Sequence, residues 1–95
     1  MKQEVDVIVC FSKTGEITPM RIRLVDEEGE RRSFDIKSQR NISDNVSRTM
    51  PDGMFISGNT LAYECYIEVA GRKRMVRLYY TPGIKNAWIM TDESE

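Results

Sequence analysis

The 95-residue chain contains no histidine. That absence removes the commonest general base, the usual base of a catalytic triad and the commonest metal ligand. Cysteine is nearly as scarce: Cys10 and Cys65 stand far apart, form no CxxC pair and read as free thiols. Strand parity turns Cys10 outward and Cys65 inward, and neither has the cationic or helix-N-terminal setting that makes a reactive thiolate. Glycines occur singly at turns, with no GxGxxG and no Walker-type phosphate loop. The carboxylates Asp44 and Asp52 and the run Asp26-Glu27-Glu28 lack the alternate spacing and terminal Glu of a calcium loop, and read as solvated turn residues. From these absences the chain is expected to be no enzyme and to carry no cofactor and no metal.

Long apolar runs and charge of one sign are missing too. No stretch approaches the 18 consecutive apolar residues of a membrane span, and the start, "MKQEVDVIVCFSKTGE", meets charge before a signal-peptide core could form. The expectation is a cytoplasmic protein with no membrane role. In that setting the acceptor patterns "NIS" at Asn41 and "NVS" at Asn45 are coincidental. Fourteen basic against fifteen acidic residues leave a net charge of -1, so any attraction to phosphate would have to be local.

What is present is the composition of one small globular domain, 40% apolar and 31% charged. Apolar residues alternate in short runs separated by Gly-containing turns, which is the pattern of an all-β barrel or sandwich. "VDVIVCF" sends Val5, Val7, Val9 and Phe11 one way, "TPMRIRLV" sends Met20, Ile22 and Leu24, and "RSFDI" adds Phe34 and Ile36. A first hairpin closed around Thr14-Gly15, or through a four-residue loop at 13–16, sets Val9 against Met20, Val7 against Ile22 and Val5 against Leu24. A second, with Gly29 at the left-handed position of its loop, sets Leu24 against Arg32, Ile22 against Phe34 and Met20 against Ile36. Leu61–Val69 and residues 75–81 form a third hairpin, turned at Gly71-Arg72, and "AWIM" supplies a sixth strand. Residues 37–59 read as irregular, with one helical turn after Ser43 and a short strand at 54–56. The chain is expected to be one domain over residues 1–91, a six-stranded, partly open SH3-like barrel, with an OB-like barrel or a compact β-sandwich as alternatives. An acidic flexible tail is expected at 92–95.

"GRKRMVRLYY" puts four basic residues within seven positions and adds two tyrosines. Register tempers the count. Arg23 comes opposite Asp6 and Arg21 opposite Asp35, while Tyr66 comes opposite Arg77 and Glu64 opposite Tyr79, so the outer faces are mixed in sign. The candidate binding surface comprises Tyr66, Arg72, Arg74, Met75, Arg77 and Tyr79 on the last hairpin, with Arg40 and Arg48 from the long segment. Of these, Arg40, Arg48, Arg72 and Arg74 have no acidic partner legible in the sequence.

With "FSKTGEITPMRIRL" near the start, "GRKRMVRLYY" later and a Trp close to the end, the chain resembles small bacterial proteins of unknown function that are single SH3-like barrels. The resemblance covers roughly residues 5–36 and 61–90, implies a fold, and transfers no site residues. The expectation is a non-catalytic binding module whose partner is another protein. Exposed aromatic and Met residues, the outward Ile8 beside Cys10, or an unpaired strand edge would make the contact. The alternative is single-stranded nucleic acid, stacked on Tyr66 and Tyr79 beside the arginines.

Overall fold

The computed structural model describes residues 2–26, 28–43, 47–83 and 87–92. Among them run nine strand segments: β1 (Lys2–Phe11), β2 (Ile17–Val25), β3 (Arg31–Asp35), β4 (Ser38–Asn41), β5 (Arg48–Thr49), β6 (Phe55–Ile56), β7 (Leu61–Val69), β8 (Arg72–Tyr80) and β9 (Trp88–Asp92). The six expected strands are all there. Residues 37–59, expected to be irregular apart from a short strand at 54–56, supply that strand as β6 and also β4 and β5. The helical turn expected after Ser43 falls outside the described residues. β9 continues through Asp92, opposite Val76, so the strand takes in the first residue of the expected tail.

β3-β2-β1-β9-β8-β7-β4 form one antiparallel sheet in that order, strongly curled into a half-barrel, and β5 and β6 form a separate ribbon. The fold is all-β and barrel-like, as the alternation of apolar residues requires.

Glycine builds the hairpins. The Gly15 amide donates to the Ser12 carbonyl and the Ser12 amide to the Glu16 carbonyl, with Gly15 at φ 86°. Asp26, Gly29 and Glu30 repeat this arrangement, and so do Met50, Gly53 and Met54. A positive φ at these positions costs glycine nothing and a β-carbon about 1 kcal/mol or more.

The first loop is therefore three residues long, one shorter than the 13–16 alternative. The difference is absorbed by a bulge: Ile8 faces Arg21, but Val9 faces Pro19. Register beyond the bulge is as expected, with Val7 opposite Ile22 and Asp6 opposite Arg23. Within it, Pro19 takes the buried position and Met20, expected inside, is 50% exposed. Phe11, also expected inward, is exposed at the strand end.

The last hairpin turns at Ala70-Gly71, with φ of 52° and 78°, and not at Gly71-Arg72. Both positive values mark a type I′ turn, whose twist matches the flanking strands. The register moves by two residues, so Tyr66 faces Met75 and Glu64 faces Arg77. An even shift leaves every side chain on its expected face.

Between β3 and β4 the chain changes edge. The Ile36 amide donates to the Met20 carbonyl at 2.9 Å, on the β2 side, and the Lys37 amide donates to the Tyr66 carbonyl at 2.8 Å, on the β7 side. Inside the curl, Val5, Ile22, Tyr63, Cys65, Ile67, Val76, Leu78 and Met90 form the core, flanked by partly buried Val7, Leu24, Phe34, Ile36 and Trp88. The Tyr63 hydroxyl donates to the Ile17 carbonyl at 2.6 Å, so the largest core phenol is satisfied.

Fully buried Ile22 is expected to lose about 2–5 kcal/mol on truncation to Ala, whereas Met20→Ala should stay within about 0.5 kcal/mol. Urea denaturation measures both. Ala70→Gly, which relieves a β-carbon held at positive φ, is expected to add about 1 kcal/mol, read as a higher urea midpoint at unchanged slope.

Candidate interaction surfaces

The outer face of the sheet carries Tyr66, Met75, Arg77 and Tyr79 of the residues singled out on the last hairpin, and part of it is covered. Met50, Ile56, Ala62 and Tyr79 form a second buried cluster there, joined by Ile42, Met54 and Ile89. The β5–β6 ribbon and its Pro51-Asp52-Gly53 turn lie over β7, β8 and β9. Tyr79, expected to be an exposed stacking platform, is buried beneath them.

Asp52 holds this cover in place. Its carboxylate, only 4% exposed, accepts the Tyr79 hydroxyl at 2.7 Å, the Thr91 hydroxyl at 2.6 Å and the Met54 amide at 3.0 Å. Arg77 stands 3.9 Å away. Burial alone would push the Asp52 carboxyl up, but the bonds from Thr91, Tyr79 and Met54 and the charge of Arg77 outweigh it, and the group sits below its ordinary 3.8. Burial, and then the bond to Asp52, pushes the Tyr79 phenol up. The expectation of a solvated Asp52 is thereby corrected: a turn residue by pattern is a buried acceptor by packing. The signal for it was the apolar pair Met50 and Met54 flanking the turn.

Arg77 is buried as well, with its guanidinium 3.1 Å from Glu64. Glu64 also receives Arg40 from β4 at 2.7 Å. Asp52, Glu64, Arg40 and Arg77 thus form one neutral cluster. Arg48 donates to the Ile42 carbonyl at 3.0 Å. Arg74, which the sequence left without an acid, pairs with Asp92 at 3.0 Å. Arg72 and Arg74 share the inward parity of Val76 and Leu78, the opposite face from Arg40 and Arg77, so the candidate arginines do not gather into one patch: Arg40 and Arg77 meet at Glu64, and Arg72 and Arg74 lie apart from them. Tyr66 is half-buried opposite Met75, with the Lys73 ammonium 4.6 Å from its ring centroid. Such a contact contributes about 0.5–1 kcal/mol.

A different surface is more open. The bulge at Met20 turns that side chain out beside Ile8, which is 45% exposed, and Cys10 follows on the same outward parity of β1. Phe11, Val25 and Phe55 are further exposed apolar side chains. Arg21, adjacent to Met20, is bound to Asp35 at 2.7 Å. Of the two thiols, Cys65 is pushed up to about 12 by burial and is inert at neutral pH. Among the described residues no three Cys, Asp or Glu side chains gather as a metal site, and no helix is long and apolar enough to cross a membrane.

Asp52→Ala is expected to cost about 2–4 kcal/mol at neutral pH, because it strips a buried charge partner and three hydrogen bonds at once. The folded carboxyl titrates below its unfolded value, so its contribution is full above 3.8 and disappears as pH falls through the folded value. Denaturation curves of the two proteins should therefore converge in acid.

Searches against family models, curated proteins and solved structures find no match to this chain.

Proposed function

We propose that the chain is a non-catalytic protein-interaction module whose contact surface is the outer face of the β1–β2 hairpin. One observation carries the reading: the bulge at Met20, which places a flexible apolar side chain beside exposed Ile8 where regular alternation would have buried it. Bulges re-aim side chains in this way at functional edges, and methionine adapts to the shape of a partner. The Arg21–Asp35 pair supplies a polar rim.

The nucleic-acid alternative receives less support. Arg40, Arg74 and Arg77 are each paired with a carboxylate, and Tyr79 lies under the β5–β6 ribbon. A strand of phosphates would have to displace those acids before gaining any field.

Ile8→Glu with Met20→Glu, both at exposed positions, should leave the fold intact and abolish capture of a partner from lysate. Arg72→Glu should retain it. If the double variant captures the same proteins as the wild type, or the wild type captures none, the reading falls.

A further inference from the structure

β1 pairs with β9 only from Lys2 to Val5, the last pair being Val5 with Trp88, and with β2 from Asp6 onward. A cleft of about 980 Å³ opens at this change of neighbour, lined by Val5, Val7, Leu24 and Trp88, with Arg31 and Arg32 at the β3 side. The Trp88 indole stacks on Tyr80 with centroids 5.2 Å apart, which holds an aromatic wall in position. Clefts at the mouths of β-barrels, of roughly 300–1,000 Å³ with apolar walls and a few placed polar groups, are characteristic small-molecule sites.

The placed polar group is Arg32. It stands opposite Leu24 on the inward parity of β3. Its Nε donates to Asp26 Oδ2 at 2.7 Å, while Asp26 Oδ1 accepts the amides of Glu28 and Glu30 at 3.0 and 2.9 Å. Asp26 is thus committed to the turn and to Nε, and the guanidinium is oriented. Its terminal nitrogens bond no described residue, and the side chain is 57% exposed. Glu4 and Asp6 also border the cleft, but on the parity opposite to Val5 and Val7, and Asp6 faces Arg23 across the strands. The cleft therefore sets the apolar side chains of Val5, Val7, Leu24 and Trp88 beside a polar rim that includes Arg23, Arg31 and Ser33, and at its β3 end a guanidinium held through Nε by Asp26, whose terminal nitrogens bond no described residue.

We propose that this mouth binds a small amphiphilic anion, an aromatic or short acyl carboxylate. Its apolar body lies against Trp88, Leu24 and Val7, and its carboxylate bridges the terminal nitrogens of Arg32. This site is separate from the Ile8–Met20 surface and independent of the protein-interaction reading.

Trp88 is the one tryptophan in the chain, so its emission reports on the cleft directly. Titration with phenylbutyrate is expected to give a saturable change in that emission. The neutral phenylbutyramide, which loses the charge-assisted bonds, should bind about tenfold more weakly or worse. Arg32→Gln, at an exposed position, should abolish the difference between acid and amide while the thermal melt stays that of the wild type. Equal binding of acid and amide by the wild type, or no saturable change at millimolar concentration, would overturn the proposal. So would a titration unaffected by Arg32→Gln.

Discussion

A curled sheet has two edges, and here the stretch of chain from β3 to β4 supplies both. At Ile36 the backbone still bonds to β2, and one residue later it bonds to β7. The curl is therefore closed at this corner through a covalent link as well as hydrogen bonds, and the two hairpin systems cannot drift apart without breaking it. Phe34 and Ile36 ride on the same stretch and fill the inside of the corner. At the far end of β3, beyond reach of the Lys37–Tyr66 bond, nothing forces closure. That is where β1 changes partner and the cleft beside Trp88 opens. The position of the corner along the chain thus decides which end of the half-barrel is packed and which stays accessible.

Most of this frame was legible in the sequence, because the period of two and the positions of glycine are local signals. The pairs Val7 with Ile22, Ile22 with Phe34 and Leu24 with Arg32 follow from them. The errors are instructive because they compensate. A loop one residue shorter than the four-residue alternative and a bulge of one residue cancel beyond Met20, so the pair Val7 with Ile22 is as expected, while Val9 faces Pro19 in place of Met20 and Val5 pairs with Trp88 in place of Leu24. In the last hairpin the expected turn at Gly71-Arg72 follows from the preference of a type II′ turn for glycine first, whereas the observed turn at Ala70-Gly71 holds a β-carbon at positive φ. Tertiary pairing overrode that local cost at Ala70, and the resulting even shift kept Val76 and Leu78 inside.

The second cluster was not legible, and the reason is physical. Alternation identifies a strand's buried face only if the other face is wet, and β8 is covered on both sides along Arg77 to Tyr79. Its outward residues carry polar atoms that make them look solvated, and those same atoms bond to Asp52 and Glu64. The cover comes from a segment whose apolar content, Met50, Met54 and Ile56, is too dispersed to show a period. A buried polar network of this kind needs every member in place, since a carboxylate or guanidinium left alone in that position would cost several kcal/mol.

This network also changes what the basic residues mean. The chain carries nearly equal numbers of cations and anions, and the fold pairs them one by one: Arg21 with Asp35, Arg32 with Asp26, Arg40 and Arg77 with Glu64, Arg74 with Asp92. Pairing at these distances shortens the reach of each of these charges to a few ångströms. It does not make every pair equivalent. Arg77 meets Glu64 with both groups largely enclosed, which ties the pair to structure. Arg32 meets Asp26 through Nε alone at an open rim, so the same pairing that removes its field also aims its remaining donors. Short-range recognition, by apolar contact at Ile8 and Met20 or by a single oriented guanidinium beside Trp88, is what such a charge distribution leaves available.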